Sequence, residues 1–221
     1  MDCHFLRNNI DRLLLATDLG LVIQESRFRD TCYPKLFSVN KFALTGLSKT
    51  DSVNAIDTCP HDPTIFLAGQ ESGILSLYST KHATALTTWQ LGAPIIKIEW
   101  SPHRPSVFLV LDSGGNISVF DLLENDSEPQ DVVAPWVLSS KNSGSDRLPC
   151  HVRMSPTAVS AASHASLANL VAASSRGATM VIGFNDGSVQ VHSVDANMAE
   201  MTVDEDKHFA EYIERLYDTS R

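Results

Sequence analysis

Basic residues, cysteines and long apolar runs are all scarce in this chain, and each shortage argues against a class of function. Lys and Arg number 17 against 26 Asp and Glu, giving a formal charge of −9 and a pI near 5.2. Phosphate binding needs a basic surface, so the balance argues against a nucleic-acid partner. No stretch approaches the roughly 20 apolar residues that span a bilayer, which argues against membrane insertion. The opening MDCHFLRNNIDR lacks the charged-then-apolar pattern of a signal peptide, so export is not expected. Cys3, Cys32, Cys59 and Cys150 are scattered and form no CxxC pair. They read as free thiols in a reducing compartment, not as a disulfide frame or zinc site. Asn116-Ile-Ser118 and Asn125-Asp-Ser127 match the glycosylation sequon, but without an export signal the match is read as empty.

Catalytic signatures are equally thin. No phosphate-cradling glycine loop, HExxH motif or isolated acidic pair stands out. In Gln70-Glu-Ser-Gly73 the serine abuts the glycine, so the spacing of a nucleophile elbow fails and the segment reads as a hairpin turn. His4, His82, His151, His164, His192 and His208 are too dispersed to argue a zinc triad. The expectation is a protein that is not an enzyme and carries no cofactor and no metal.

What the chain does contain is a repeat. Residues 53–78 and 95–120 align without a gap at a spacing of 42 residues. Ile56/Ile98, Pro60/Pro102, His61/His103, Pro63/Pro105, Phe66/Phe108, Leu67/Leu109, Gly73/Gly115 and Ser76/Ser118 are identical. A period of about 40–45 residues with several short strands per unit marks a WD-type β-propeller blade. With 43% hydrophobic and 19% charged residues the chain can bury a core.

Each unit follows one recipe. In the clearest copy PIIKIEW (94–100) is a strand closed by Ser101-Pro102, because proline cannot donate to the ladder. SVFLVL (106–111) is a continuous apolar run that fits a strand buried on both faces. Asp112-Ser-Gly-Gly115 supplies a hairpin turn and NISVFDL an alternating strand. The preceding copy uses NAIDTCP, TIFLAG, Gly73 and ILSLYS, with ATALTTWQL (83–91) as outer strand; VVAPWVLSS (132–140) is the outer strand of the next. A first unit has RLLLATD (12–18), LVIQESR (21–27) and KLFSV (35–39), with its first strand weak or missing before Arg12. A last unit runs from HVRMSP (151–156) through ATMVIGF and Asn185-Asp-Gly187 to SVQVHSV (188–194). Its Ser-Pro lies 54 residues after Ser101-Pro102 but its turn glycine 72 after Gly115, so 18 residues are inserted within the Ala/Ser-rich 157–177.

The resulting expectation is an all-β, partial WD40-type β-propeller of about three and a half blades with a C-terminal α-helix. Its parts are an incomplete first blade (1–40), two blades (41–92 and 93–140), a last blade with the insertion (141–203) and the helix (204–221). A closed seven-bladed ring needs about 290 residues at this period, so 221 residues are not expected to close one. Open strand edges then predict poor solubility or self-association of the chain alone.

From Met201 the period shifts from 2 to 3.6. Phe209, Tyr212, Ile213, Leu216 and Tyr217 form one apolar stripe on a helix from about Asp204 to Tyr217. Thr202 and Glu205 have capping-box spacing. The stripe serves either the chain's own surface, the favoured reading, or a groove on a partner. His61 and His103 recur after a proline in two units, which points to a structural role in the turn. Trp100 ends an inner strand and reads as core, whereas Trp89 and Trp136 lie on outer strands and are candidate partner contacts.

Over 95–126, IIKIEWSPHRPSVFLVLDSGGNISVFDLLEND resembles the late blade of dynein intermediate chains. The residues that carry the likeness are Trp100, Ser101, Pro102, Pro105, Phe108 and Phe120-Asp121-Leu122. The last unit and terminal helix are similar to that family in order and spacing. The opening LLLATDLGLVIQESRF with PKLFSVN looks most like the intermediate chains of cytoplasmic dynein-2, the motor of retrograde intraflagellar transport. Two departures stand out: Phe120-Asp121 replaces the usual Trp-Asp, and the 157–177 insertion is foreign to the pattern. The family's light-chain-binding N-terminal region has no counterpart in these residues.

The resemblance implies the C-terminal part of a non-catalytic scaffold subunit. It would bind dynein heavy chain, beside other intermediate and light chains, in the cytoplasm and at the cilium and its base. The alternatives are a dynein-1 or axonemal intermediate chain, or a WD-repeat adaptor outside motors such as a ubiquitin-ligase substrate receptor.

Overall fold

Four glycines with positive φ set the turns around which the chain folds. Gly20, Gly73, Gly115 and Gly187 have φ between 73° and 82° and occupy the same hairpin in four successive sheets. Residues with a Cβ rarely adopt this conformation, so the recurring glycine fixes where the two middle strands reverse. The computed structural model describes residues 2–6, 9–28, 34–39, 51–133, 147–155, 178–194 and 196–219.

Strands pair with their sequence neighbours, antiparallel throughout. The first sheet contains β1 (Cys3–Leu6), β2 (Asn9–Ala16), β3 (Val22–Ser26) and β4 (Lys35–Phe37). The second contains β5 (Val53–Thr58), β6 (Ile65–Gln70), β7 (Ile74–Ser79) and β8 (Thr87–Gln90). The third contains β9 (Ile95–Trp100), β10 (Val107–Asp112), β11 (Ile117–Asp121) and β12 (Asp131–Val133). The fourth has three strands among the described residues: β13 (Pro149–Met154), β14 (Thr179–Phe184) and β15 (Val189–Ser193). Two helices follow, α1 (Ala196–Ala199) and α2 (Glu205–Thr219). The fold is all-β with one substantial C-terminal helix.

The first sheet corrects the expectation that its opening strand is weak or missing. β1 pairs with β2 over Cys3↔Leu15 to Phe5↔Leu13, followed by an irregular step to Leu6↔Asn9. A four-residue strand has too few alternations to register as a pattern, and its place is decided by the partner strand. Within the expected outer strand 132–140, Asp131–Val133 pair with β11, and the remainder lies outside the described residues. The whole 157–177 insertion and Cys32 also lie outside them.

Period-2 alternation gives each sheet two apolar faces, one leading towards the next sheet and one trailing towards the previous. Leu14, Ala16, Val22 and Phe37 on the first leading face pack against Ile56, Phe66, Ala68 and Tyr78 of the second sheet. Leu67, Leu75, Leu77 and Trp89 pack against Ile98, Trp100, Phe108, Val110 and Phe120 of the third. Leu109, Leu111, Ile117 and Val119 pack against Val152, Met154, Ile182 and Phe184 of the fourth. Each junction is thus a sheet-on-sheet core, and strands buried on both faces read as the continuous apolar runs seen in the sequence.

The second junction is closest at Gly69, where an added Cβ would lie 2.4 Å from Ile95 Cγ2. Gly69→Ala is therefore expected to force Ile95 and β9 apart, at a cost of about 1–3 kcal/mol. Chemical denaturation of the variant measures this, and an unchanged midpoint would show that the junction has slack.

Candidate interaction surface

The first strands of neighbouring sheets lie side by side, and carboxylates join them. Asp2 Oδ2 accepts the Ile56 N–H at 3.1 Å, tying β5 to the chain just before β1. Asp57 Oδ2 on β5 accepts the Trp100 N–H of β9 at 2.6 Å. Glu99 Oε1 on β9 accepts the Met154 N–H of β13 at 3.3 Å. Each bond satisfies a backbone donor that no strand of its own sheet reaches.

His4, Asp57, Glu99 and Arg153 hold the same register position in the four sheets, opposite Leu14, Leu67, Leu109 and Val181. They form two ion pairs, His4 Nδ1–Asp57 Oδ1 at 3.5 Å and Arg153 Nε–Glu99 Oε1 at 3.6 Å. Burial raises the Asp57 pKa against the pull of the Trp100 N–H and His4. Burial likewise raises Glu99, helped by the neighbouring Asp57 charge and opposed by Arg153.

A second polar assembly fastens α2 to this frame. The described chain positions α2 through Asp204, whose φ is 62° and whose carbonyl accepts the N–H groups of Lys207 and His208. Glu205 is fully buried. Arg104 Nε donates to its Oε1 at 2.9 Å and its Oε2 at 3.0 Å, and Ser106 Oγ to Oε1 at 3.0 Å. The Arg104 guanidinium also meets Asp121 Oδ2 at 2.8 Å. Burial would raise the Glu205 pKa, but the Thr202 N–H, Arg104 and Ser106 outweigh it and hold the carboxyl below its usual value.

The expected Thr202–Glu205 pairing exists in one direction only. Thr202 N–H and Oγ1 both donate to Glu205 Oε2, at 2.8 and 3.1 Å, so the hydroxyl does not accept from the helix as a capping box requires. Glu205 therefore serves both the arginine and the Thr202 end of the helix. Arg104 itself carried a signal in the sequence. It stands where Asp62 stands in the other copy of the repeat, and Asp121 stands where Ser79 does. A reversed charge and a gained charge at repeated positions mark a partner outside the repeat, but not which one.

Beyond its first turn, α2 covers the second junction with its stripe. Phe209, Tyr212 and Ile213 are buried in the core shared by the second and third sheets, and Leu216 and Tyr217 pack on its margin. Phe209 meets Trp100 edge-on at 6.3 Å. Tyr217 donates to Ser79 Oγ at 2.8 Å and stacks on His82 at 4.9 Å. The stripe therefore meets this chain's own sheets, the first of the two roles that its pattern allowed.

Trp89 is only 6% exposed, lies against Phe108 and Phe120, and donates from Nε1 to the Asp126 carbonyl at 2.6 Å. Its indole lies inside the second junction, because β8 pairs it with Leu75 on the leading face. Trp136 lies outside the described residues. Trp100 is buried as expected, with Nε1 donating to the Pro105 carbonyl at 2.9 Å. The two repeated histidines have different structural contacts. His103 Nε2 bonds the Ser155 carbonyl across the third junction at 2.8 Å, while His61 approaches Asp206 of α2 at 3.8 Å.

Beside α2 lies a cleft of about 410 Å³ lined by Leu122, Leu123, Glu124, Asn125, Asp126, Tyr212, Arg215 and Leu216. Its lining sets apolar Leu122, Leu123 and Leu216 beside the charged Glu124, Asp126 and Arg215. Burial and the Asp126 charge push the Tyr212 hydroxyl up to about 12, so it remains a neutral donor. Burial also raises the Cys59 thiol to about 12, while Cys3 and Cys150 are exposed free thiols. Among the described residues no three His, Cys, Asp or Glu side chains gather as a metal site, and no helix is long and apolar enough to cross a membrane.

No protein-family model matches the chain. It is 33% identical over 132 residues to human cytoplasmic dynein 2 intermediate chain 1, a match covering 58% of this chain. It is 32% identical over 128 residues to the mouse protein of the same name, covering 57%. The matched region spans only 12% of either relative's length. The chain is thus distantly similar, over somewhat more than half its length, to cytoplasmic dynein 2 intermediate chain 1.

Removing Arg104 would leave Glu205 and Asp121 buried without a cation. Arg104→Met is expected to cost about 3–5 kcal/mol and to release α2 from Trp100. Tryptophan fluorescence and thermal unfolding read both effects; a loss under 1 kcal/mol would refute the anchor.

Acid should act on the same contact. Because the folded Glu205 pKa lies below its ordinary 4.5, its stabilisation is complete above that value and is lost as pH falls towards the folded one. Asp57 and Glu99 act oppositely, since their folded pKa values are raised: their contribution weakens as pH rises from 3.8 and 4.5 through the folded values. Stability measured from pH 3 to 7 should therefore keep a component of acid loss that disappears in Glu205→Gln. Parallel curves for the two chains would assign that loss elsewhere.

Proposed function

We propose that the chain is a non-catalytic scaffold subunit of a dynein motor, acting as part of a WD-type β-propeller that grips dynein heavy chain. The observation that carries this reading is the similarity to cytoplasmic dynein 2 intermediate chain 1 over 58% of a chain that folds as repeated sheets. Three features support the propeller. Each sheet is a sequential antiparallel meander, each leading face meets the next trailing face, and the first strands lie side by side as the inner strands of blades do. In this reading the protein contributes surface and rigidity, and ATP hydrolysis belongs to the heavy chain. Its place is the cytoplasm and the cilium with its base, in support of retrograde intraflagellar transport.

The cleft beside α2 is the part of this surface best built for a partner. It sets apolar side chains among charged and polar ones, a mixture suited to recognising a partner. Leu123 and Leu216 are half-buried and reachable from solvent, while Trp89, Phe209, Tyr212 and Ile213 support them from inside.

Co-precipitation of the tagged chain from ciliated cells is expected to recover dynein heavy chain. Leu216→Asp should weaken that recovery about tenfold or more, as loss of an interface anchor does. Glu211→Lys, on the exposed side of α2, should leave it unchanged. Absence of heavy chain from the wild-type precipitate would overturn the assignment, and equal recovery by all three chains would move the contact away from the cleft.

A further inference from the structure

The cleft beside α2 contains a polar group to which the fold gives no partner. Tyr212 is only 5% exposed and lines the cleft, yet among the described residues its hydroxyl has no hydrogen-bond partner. A buried tyrosine hydroxyl normally finds one, so an unmet hydroxyl at a cavity wall points to an atom supplied from outside. The surrounding charges select what that atom is. Asp126 acts on the hydroxyl more strongly than Arg215, whose guanidinium lies 5.8 Å from the centre of the Tyr212 ring. Glu124 also lines the cleft, and from Glu124 to Asp131 the chain carries acidic residues at 124, 126, 128 and 131 and no basic one.

The segment that presents these carboxylates is already fixed. Asp121 Oδ1 accepts the Leu123 N–H at 3.1 Å, and the Asp121 carbonyl accepts those of Glu124 and Asn125 at 3.2 and 3.0 Å. Trp89 Nε1 holds the Asp126 carbonyl, and Arg104 holds Asp121 itself. A site preformed in this way gives up little freedom on binding. Its leucines suit the carbon stem of a long side chain, and its carboxylates and phenol oxygen accept what a cationic head donates. An anionic head would meet one lining cation, Arg215, against two lining carboxylates.

We propose that the cleft receives a lysine or arginine side chain of a partner protein, its stem along Leu123 and Leu216 and its charged head at Glu124, Asp126 and the Tyr212 hydroxyl. The proposal rests on the cleft being the partner surface and names the chemistry that this surface selects. The partner segment presents a basic residue flanked by apolar ones.

Calorimetric titration of the full chain with blocked peptides tests this without heavy chain. The peptides are Ala-Leu-Lys-Leu-Ala and its counterparts with arginine, norleucine or glutamate at the centre. A basic peptide should bind about tenfold more tightly than the norleucine one, the factor that a charge-assisted hydrogen bond supplies. Glu124→Gln combined with Asp126→Asn should remove that margin, and Tyr212→Phe should cut it about threefold. Phenylalanine keeps the ring in the core, and Trp89 bonds the Asp126 backbone, so thermal unfolding of these variants should follow the wild type. That separates a lost site from lost folding. Equal binding of the basic and norleucine peptides, tighter binding of the glutamate peptide, a margin that survives the double variant, or no binding by any peptide would each overturn the proposal. Co-precipitation without heavy chain would remove the motor assignment and leave a measured basic-peptide margin standing. Recovery of heavy chain by a chain that shows no such margin would remove the cation site alone.

Discussion

A buried guanidinium has to be matched by carboxylates, and Arg104 has two of them from distant parts of the chain. Asp121 comes from the end of β11 and Glu205 from the first turn of α2. Removing Arg104 would leave two carboxylates out of reach of water with no cation between them, which costs more than the ion pairs contribute. The triad therefore acts chiefly as a specificity device. It fixes where the helix begins, and so fixes which residues of α2 reach Trp100 and the core between the second and third sheets.

Everything else at that junction follows from the placement. With Glu205 held, the helical period brings Phe209, Tyr212 and Ile213 onto the sheets and leaves Glu211 and Glu214 in water. The other end is fixed by Tyr217 at Ser79. Ser79 and Asp121 occupy equivalent positions in the two copies of the repeat, so α2 crosses the second and third sheets at matching points. The cleft beside Leu123 and Leu216 is what remains between the helix and the segment after β11.

The inner row of charged residues works on a different principle. Asp57 and Glu99 accept backbone N–H groups from a neighbouring sheet, and burial raises both pKa values. Sheet-on-sheet burial supplies the energy, since each junction hides aromatic and aliphatic side chains at about 25 cal/mol per Å². The carboxylates set the relative height of the sheets, because a shift would leave a donor or an acceptor buried and unpaired. Packing and polar registration are thus divided between different residues of the same strands.

Much of this was legible in the sequence because it is local and repeated. The 42-residue period, the apolar runs, the four turn glycines and the 3.6-residue stripe from Phe209 to Tyr217 depend on neighbouring residues, and they determined sheets of sequential strands followed by one helix. The short β1, the burial of Trp89, the pairing of Arg104 with Glu205 and the row from His4 to Arg153 were not legible. Each joins residues from about ten to more than a hundred positions apart, and no spacing rule spans a fold. Glu205 shows the difference most plainly: alone it reads as a residue near a helix cap, and only the folded chain brings Arg104 to it. The sequence by itself thus determined the elements and their order, because hydrogen bonding and alternation act over a few residues. Tertiary structure decided which charges are buried and which faces are covered, because burial and pairing belong to surfaces that exist only once the sheets have met.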